Sequence, residues 1–378
     1  MTVSCRIDRL QITDFRSYAS ADIAAPGMLV ALVGENGAGK TNILEALSLL
    51  APGRGLRRAD LGDMARQGGS GGFAVSCHVT GAVGPAHLGT GVSPDEPGRK
   101  ARIDRAPAPS ITAFADHLRI VWLTPDQDGL FRGPAGERRR FLDRLVLAVD
   151  PGHGTRVAML ERALRGRNRL LEDTAPDARW LDAAELEVAE IAIAVAAARR
   201  ESVARLAHLI MTHRDDASPF PWADIRLEGE IETRLATEAA GAVEDWYRAE
   251  LRLSRGRDRA AGRTLLGPQA SDLAVAHGPK GMAAQVSSTG EQKALLVGLV
   301  LAHARLVAEM TGMAPVVLLD EVAAHLDPRR RAALIETLAA LGGQVWMTGA
   351  DPALLDGLPA AASRFVVTPG AIRPIEGG

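Results

Sequence analysis

The segment GENGAGKT, residues 34–41, constrains this chain more than any other, because it calls for a strand before it, a helix after it and a phosphate between them. It fits the pattern G-x-x-x-x-G-K-[ST]. The apolar run MLVALVG (28–34) leads in, as a short buried strand does, and NILEALSLL (42–50) leads out as a helix. Gly34, Gly37 and Gly39, with Glu35, Asn36 and Ala38 between them, let backbone N–H groups turn inward around an anion. The helix N-terminus adds the positive end of its dipole. Lys40 is placed to reach the β- and γ-phosphates, the Thr41 hydroxyl to bind Mg²⁺, and Asn42 follows on the same turn.

The other half of such a site lies far along the chain, in APVVLLDEV (314–322). Four hydrophobic residues run into two acids, so a buried strand ends on Asp320, where a carboxylate can hold the metal. Glu321, one residue on, is placed to polarise an attacking water as general base. Lys40, Asp320 and Glu321 are therefore the catalytic candidates, and ATP with Mg²⁺ the expected ligands.

A second anion-holding turn, SSTGEQ (287–292), opens a long apolar helix. Ser288 is placed to cap that helix, and Gly290 lets the backbone approach an oxygen closely. The position of this turn, ahead of the acidic strand, resembles the signature motif of the ABC-type ATPases. There the signature of one subunit covers the γ-phosphate held by the phosphate loop of another, which implies an ATP-dependent homodimer. AAHLD (323–327) sits where such ATPases carry the loop that couples the two sites. Thr348, in MTGAD (347–351), stands where transporters have a switch histidine. A weaker hydrogen-bonding group at that point makes slow hydrolysis the expectation. His325 is assigned no chemical role.

The totals fit a large soluble α/β protein. The 378 residues are 47% hydrophobic and 24% charged, with a formal net charge of −2, so any affinity for nucleic acid must come from local clusters. Cys5 and Cys77 form no disulfide framework and no metal-ligand spacing. The opening MTVSCRIDRLQITDF puts charges where a signal peptide needs an apolar core. No apolar run approaches the ~18 residues of a membrane span; Ala294–Ala302 comes nearest, bounded by Lys293 and His303. A cytoplasmic protein without membrane contact is expected.

Strand patterns fill the first third: 4–12, 28–34, GFAVSCHVTG (72–81), GRKARIDR (98–105) after a Gly/Pro-rich connection, and HLRIVWL (117–123). Helical spacing then takes over, with Val157, Leu160, Leu164 and Leu171, and with Val188, Ile191 and Val195. Asp182–His213 reads as an arm and Ile231–Leu253 as a third helical run. Strand–helix alternation returns from Arg263. The expected domains are 1–123, the first half of an ATPase core with an antiparallel β subdomain; 124–262, a helical lobe and arm; and 263–378, the second half of the core.

With these parts placed, the chain resembles the RecF family of bacterial recombination mediator ATPases, short-armed relatives of the SMC proteins. The residues that carry the resemblance are LQITDFRSY (10–18), VGENGAGKTNILEAL (33–47), GRGLRRAD (53–60), LTPDQDGLFRGPAGERRRFLDR (123–144), STGEQKALL (288–296) and VVLLDEVAAHLD (316–327). The resemblance implies an α/β, ABC/SMC-like P-loop ATPase core with an antiparallel β subdomain and an inserted α-helical arm. It also implies ATP-dependent dimerisation, weak DNA-stimulated ATP hydrolysis, and binding to duplex DNA and single-strand/double-strand junctions. Help in loading RecA during gap repair, replication restart and the SOS response, with RecO and RecR as partners, belongs to the same expectation. Arg16 is placed to approach the nucleotide, because the family's first strands lie beside the phosphate loop; a solvent-facing turn arginine is the other reading. The family's His-Arg-acidic stretch after Gly-Pro reads GPQASDL (267–273) here, which removes two cations at Gln269 and Ala270 and leaves Asp272 without an assigned role. Gln127 is a weak candidate for the glutamine loop.

Four arginine groups could track phosphates: Arg54, Arg57 and Arg58; Arg138–Arg140; Arg162, Arg165, Arg167 and Arg169; and Arg248, Arg252, Arg255, Arg257, Arg259 and Arg263. Arg138–Arg140 also read as an interior ion-pair network, since Phe141 and Leu142 follow. Aromatic residues are only 4%, which favours backbone contact with a duplex over base stacking. The rival readings are the nucleotide-binding subunit of another ABC-type machine, whether a transporter or an SMC-like architectural protein. A transporter subunit calls for a switch histidine, and an architectural protein for hundreds of residues of heptads.

Overall fold

The computed structural model describes residues 2–173, 177–322 and 326–375. The chain forms two units: Met1–Asp128, Asp215–Pro221 and Thr289–Gly378 make the first, Gly129–Arg214 and Trp222–Ser288 the second.

Alternation in the first third of the sequence becomes an antiparallel sheet in the first unit. Its strands are β1 (Arg6–Phe15), β2 (Tyr18–Ala24), β4 (Phe73–Gly81), β5 (Gly84–Ser93), β6 (Glu96–Ile103) and β7 (Ala106–Pro107), in the order β2-β1-β4-β5-β6-β7. Every second side chain of β4 (Phe73, Val75, Cys77, Val79) is buried, as a half-covered strand requires. The Gly/Pro-rich connection expected before GRKARIDR is itself β5. Ala86, Leu88 and Thr90 supply its inward face, and a Cβ on Gly91 would lie 2.2 Å from the Phe73 carbonyl oxygen. That glycine therefore marks a close strand approach rather than a loop.

The second sheet of this unit holds β3 (Leu29–Val33), β8 (Ile120–Leu123), β12 (Val316–Leu319), β13 (Val345–Gly349), β14 (Ser363–Thr368) and β15 (Ala371–Pro374), in the order β15-β14-β3-β13-β12-β8. All neighbours are parallel except β14 and β15. Every residue of β3, β8, β12 and β13 is buried, which explains why these strands read as unbroken apolar runs. Register pairs Thr348 with Leu32 and Met347 with Leu319. The carboxyl ends of β3, β12 and β13 therefore finish side by side, at the edge where open α/β sheets hold their ligands. Helices α1 (Lys40–Ser48), α8 (Thr289–Thr311) and α9 (Pro328–Ala340) belong to this unit.

By length and composition alone α8 is long and apolar enough to cross a membrane, although its unbroken apolar run stops at His303. His303 is itself buried, as are Leu295, Leu296, Leu299, Val300, Leu306 and Val307. The helix places its apolar surface in the core of the unit.

The second unit is mostly helical: α2 (Ala135–Val149), α3 (His153–Glu172), α4 (Ala178–Thr212), α5 (Glu230–Arg234), α6 (Ala240–Leu253) and α7 (Arg255–Ala261). Leu160, Leu164, Val188, Val195, Val243 and Tyr247 form its apolar centre. Arg167, expected among phosphate-tracking cations, is instead wholly buried there, bonded to Glu185 (3.1 Å), Asp258 (2.8 Å), Thr264 (2.7 Å) and the Leu251 carbonyl (2.7 Å). The expected third helical run breaks into α5 and α6. The expected return to the core at residue 263 falls at 289, because β10 (Asp272–His277) pairs with both β11 (Met282–Ala283) and β9 (Ala223–Glu228). The strand β9 is embedded between helices, so periodicity concealed the element that keeps 263–288 in the second unit.

Candidate nucleotide site

Gly39 takes φ 107° at the entrance to α1, and a Cβ there would lie 2.8 Å from both Ser17 Oγ and Tyr18 Oη. Only glycine fits a left-handed residue under such close neighbours. The Tyr18 hydroxyl donates to the Gly39 carbonyl at 3.1 Å and Asn42 Nδ2 donates to Ser17 Oγ at 2.9 Å, so the β1–β2 turn braces the loop. Lys40 is 3% exposed. Its Nζ donates to the carbonyls of Gly34 (2.7 Å) and Glu35 (2.9 Å) and lies 3.9 Å from Glu321 Oε1.

The Thr41 hydroxyl donates to Asp320 Oδ1 at 2.9 Å. Burial pushes the Asp320 carboxyl above the ordinary range; hydrogen bonds from Thr348 and Thr41 oppose that rise, and the charge of Glu321 adds to it. A half-desolvated carboxylate beside a second acid, with a hydroxyl on one oxygen, is a donor set that a small hard cation relieves. Mg²⁺ fits it. Among the described residues no group of three or more His, Cys, Asp or Glu forms a self-sufficient metal cage, so such an ion would draw its remaining ligands from phosphate oxygens and water.

Thr348 is fully buried. Its hydroxyl donates to Asp320 Oδ1 at 2.8 Å and accepts the Glu321 N–H at 2.9 Å. It therefore ties the two acids together, at the position where transporters have a switch histidine. It also braces Glu321 in the left-handed region, at φ 53°, where a non-glycine residue is held only by its surroundings. Thr348→Val leaves the half-buried Glu321 N–H without its acceptor, a loss of about 1 kcal/mol. A lower melting temperature together with weaker Mg²⁺-dependent nucleotide binding is expected, and a variant that melts like the parent contradicts the assignment.

Arg16 is committed within the chain. Its Nε and Nη2 bind the fully buried Glu45 carboxylate at 2.9 and 2.7 Å, and Nη1 binds the Asp63 carbonyl at 2.7 Å. Arg57 Nη1 reaches Asn42 Oδ1 (2.8 Å) and Glu45 Oε2 (3.0 Å), and its charge is felt at Asp320. Sequence reasoning placed Arg57 with DNA; the structure ties it to the phosphate-loop helix. The missed signal was Glu45 itself, an acid on the inward side of NILEALSLL, which requires a cation.

Arg138 and Arg139 are also held internally, by Asp272 and by the Ser271 carbonyl, which supports the interior reading of that group. Asp272, left without a role by the sequence, holds Arg138. Gln127 has its side-chain carbonyl oxygen buried without a hydrogen-bond partner among the described residues. Of AAHLD, Ala323, Ala324 and His325 lie outside the described residues; the Asp327 side chain caps α9 by accepting the Arg330 N–H at 2.9 Å. Ser288, Thr289 and Gly290 are exposed at the start of α8. Gly290 has no left-handed φ, and a Cβ there would meet nothing within 4 Å. Nothing among the described residues requires a glycine at that position.

Residues 6–357 match the RecF/RecN/SMC N-terminal domain family. The DNA replication and repair protein RecF of Mesorhizobium japonicum is 53% identical, with 100% of each chain covered. That of Brucella abortus is 52% identical over 98% of this chain and 96% of its own. Among solved structures, the recombination mediator protein RecF with ATPrS superposes with a TM-score of 0.87 at 20% identity, covering 99% of both chains. An SMC head bound to the C-winged helix domain of ScpA gives 0.55 at 16% identity, covering 98% of this chain and 96% of that one. Both superpositions bear on the fold, which is the expected ABC/SMC-like one with an antiparallel subdomain and a helical insertion. The chain belongs to the RecF family of DNA replication and repair proteins.

Proposed function

We propose that this chain is an ATP-driven DNA clamp of recombinational gap repair. ATP and Mg²⁺ bind at residues 34–42 and Asp320, and Lys40 offsets charge on the outer phosphates. The Ser288–Gly290 turn of a second copy closes over the γ-phosphate, and hydrolysis through Glu321 reopens the dimer. The observation that carries this reading is the meeting of Thr41 and Asp320 at 2.9 Å beside Lys40 and Glu321, a metal-and-phosphate constellation assembled from opposite ends of the chain. The exposed Gly290 supports a partner that approaches from outside. Arg16 acts at one remove, by holding Glu45 on the loop helix.

DNA is the reading for the arm. Arg162, Arg165 and Arg169 are exposed on α3 at helical spacing, a stripe of about 10 Å that can follow a duplex backbone. The likeness to RecF proteins supports RecO and RecR as partners, RecA loading at single-strand/double-strand junctions, and a cytoplasmic setting. The test is ATP turnover without DNA and with single-stranded, duplex and gapped DNA. Weak basal turnover stimulated by gapped or duplex DNA is expected, and indifference to every DNA contradicts the clamp.

A further inference from the structure

We propose that Arg132 and Arg138 are positioning residues that aim the Ser288–Gly290 turn at a second copy's triphosphate. The inference rests on the reading of that turn given above and names what holds it. A segment of the second unit that contains β10, β11 and residues 284–288 leads into the turn, whose Thr289 and Gly290 already belong to α8 of the first unit. Two arginines from the start of α2 and the loop before it grip this segment at both ends.

At the near end, Arg138 Nε and Nη2 make a two-pronged bond to Asp272 Oδ1 and Oδ2, at 2.8 and 2.7 Å. The geometry fixes direction as well as distance, since a planar fork meets a planar carboxylate. Asp272 is the first residue of β10. The same guanidinium donates through Nη1 to the Gly133 carbonyl, so Arg138 also shapes the loop that carries Arg132. At the far end, Arg132 donates through Nε to the Gln285 carbonyl at 3.3 Å and through Nη2 to the Ser287 carbonyl at 3.1 Å. Ser287 is the residue before the turn.

Just ahead of the near grip, Arg139 holds the Ser271 carbonyl at 2.7 Å, and Arg199 of α4 holds the Pro268 carbonyl at 2.6 Å and Ser271 Oγ at 3.2 Å. Arg199 is in turn bound by Asp143 of α2 at 2.7 and 2.9 Å. The strand pair that delivers the turn is thus fastened to α2 and to the arm helix α4 by charged side chains, in addition to the burial of Leu273 on β10 and of Ala223 and Ile225 on β9. The pair Arg138–Asp272 also gives Asp272 a role in a segment whose neighbours Gln269 and Ala270 carry no charge. Gln269 turns inward and donates to the Thr264 and Leu266 carbonyls.

The test uses the full chain in three variants: Arg132→Ala, Arg138→Asp, and Arg138→Asp combined with Asp272→Arg. Three quantities are read: ATP affinity at dilutions where the chain is monomeric, ATP-dependent dimerisation by sedimentation, and kcat and KM for ATP with gapped DNA. Arg132 lies on the surface, so Arg132→Ala is expected to melt like the parent. Its monomer affinity and KM should stay unchanged, because the phosphate loop lies in the other unit, while dimerisation and kcat fall about tenfold. Arg138→Asp sets two acids against each other and should lower dimerisation further. The reversed pair should recover most of that loss, the Gly133 bond excepted. Undiminished dimerisation and kcat in Arg132→Ala overturn the proposal, as does a well-folded reversed pair no better than Arg138→Asp. A parent chain that stays monomeric with ATP instead defeats the clamp reading itself, and this inference falls with it.

Discussion

Glu321→Gln should convert the chain into a persistent ATP-bound dimer. Glutamine keeps the volume and reach of the side chain, so the left-handed backbone at φ 53° and the hydrogen bond from the backbone N–H of residue 321 to the Thr348 hydroxyl need not change. It loses the proton affinity that a general base requires, and that function contributes roughly 10²–10⁴-fold to a rate. The weak 3.9 Å ion pair to Lys40 is lost as well, which leaves the lysine amine free to follow phosphate charge. Nucleotide binding and closure should therefore survive while turnover collapses. Sedimentation with saturating ATP and Mg²⁺ should show a stable dimer that lasts through gel filtration, where the parent chain cycles back to monomer. A variant that remains monomeric under those conditions contradicts the proposed switch.

Lys40→Ala should abolish nucleotide binding. The Lys40 amine is held over the loop by the Gly34 and Glu35 carbonyls at 2.7 and 2.9 Å, placed where phosphate charge would collect. Removing a buried cation that makes charge-assisted bonds costs roughly 1.5–3 kcal/mol per bond. A loss of about a hundredfold or more in ATP affinity is expected. Fluorescent ATP should show no saturable binding, and ATP-stimulated retention of gapped DNA should vanish with it. DNA binding without ATP should persist, because the exposed arginines of α3 lie in the other unit. Retention of DNA that still responds to ATP in Lys40→Ala would place the nucleotide elsewhere.

Much of this site was legible because its chemistry is carried by short segments with strict geometry. Gly39 is dictated by a positive φ and two nearby oxygens, and Asp320 by the end of a wholly buried strand. Such constraints leave their mark on single residues. What escaped the sequence depends on partners far away in the chain. The role of Thr348 exists only because β13 lies beside β12, and that of Arg57 only because Glu45 is buried on the loop helix. The same holds for Arg167, which looks like one more surface cation until Glu185 and Asp258 surround it. The extent of the second unit was hidden for a similar reason. Strand β9 earns its place by pairing with β10, its last residue Glu228 against Asp272, far along the chain, and no local pattern records that. Glycine misled in one place, at β5, where close packing against Phe73 looks the same in sequence as a turn.

The most direct measurement is a crystal structure of the Glu321→Gln chain grown with ATP and Mg²⁺. Ser288 Oγ and the Gly290 N–H of one protomer should lie within hydrogen-bonding distance of the γ-phosphate held by Lys40 of the other, with Mg²⁺ between Thr41 and Asp320. An ATP-filled loop whose γ-phosphate meets no residue of a second copy, with both Ser288–Gly290 turns facing solvent, would contradict the account.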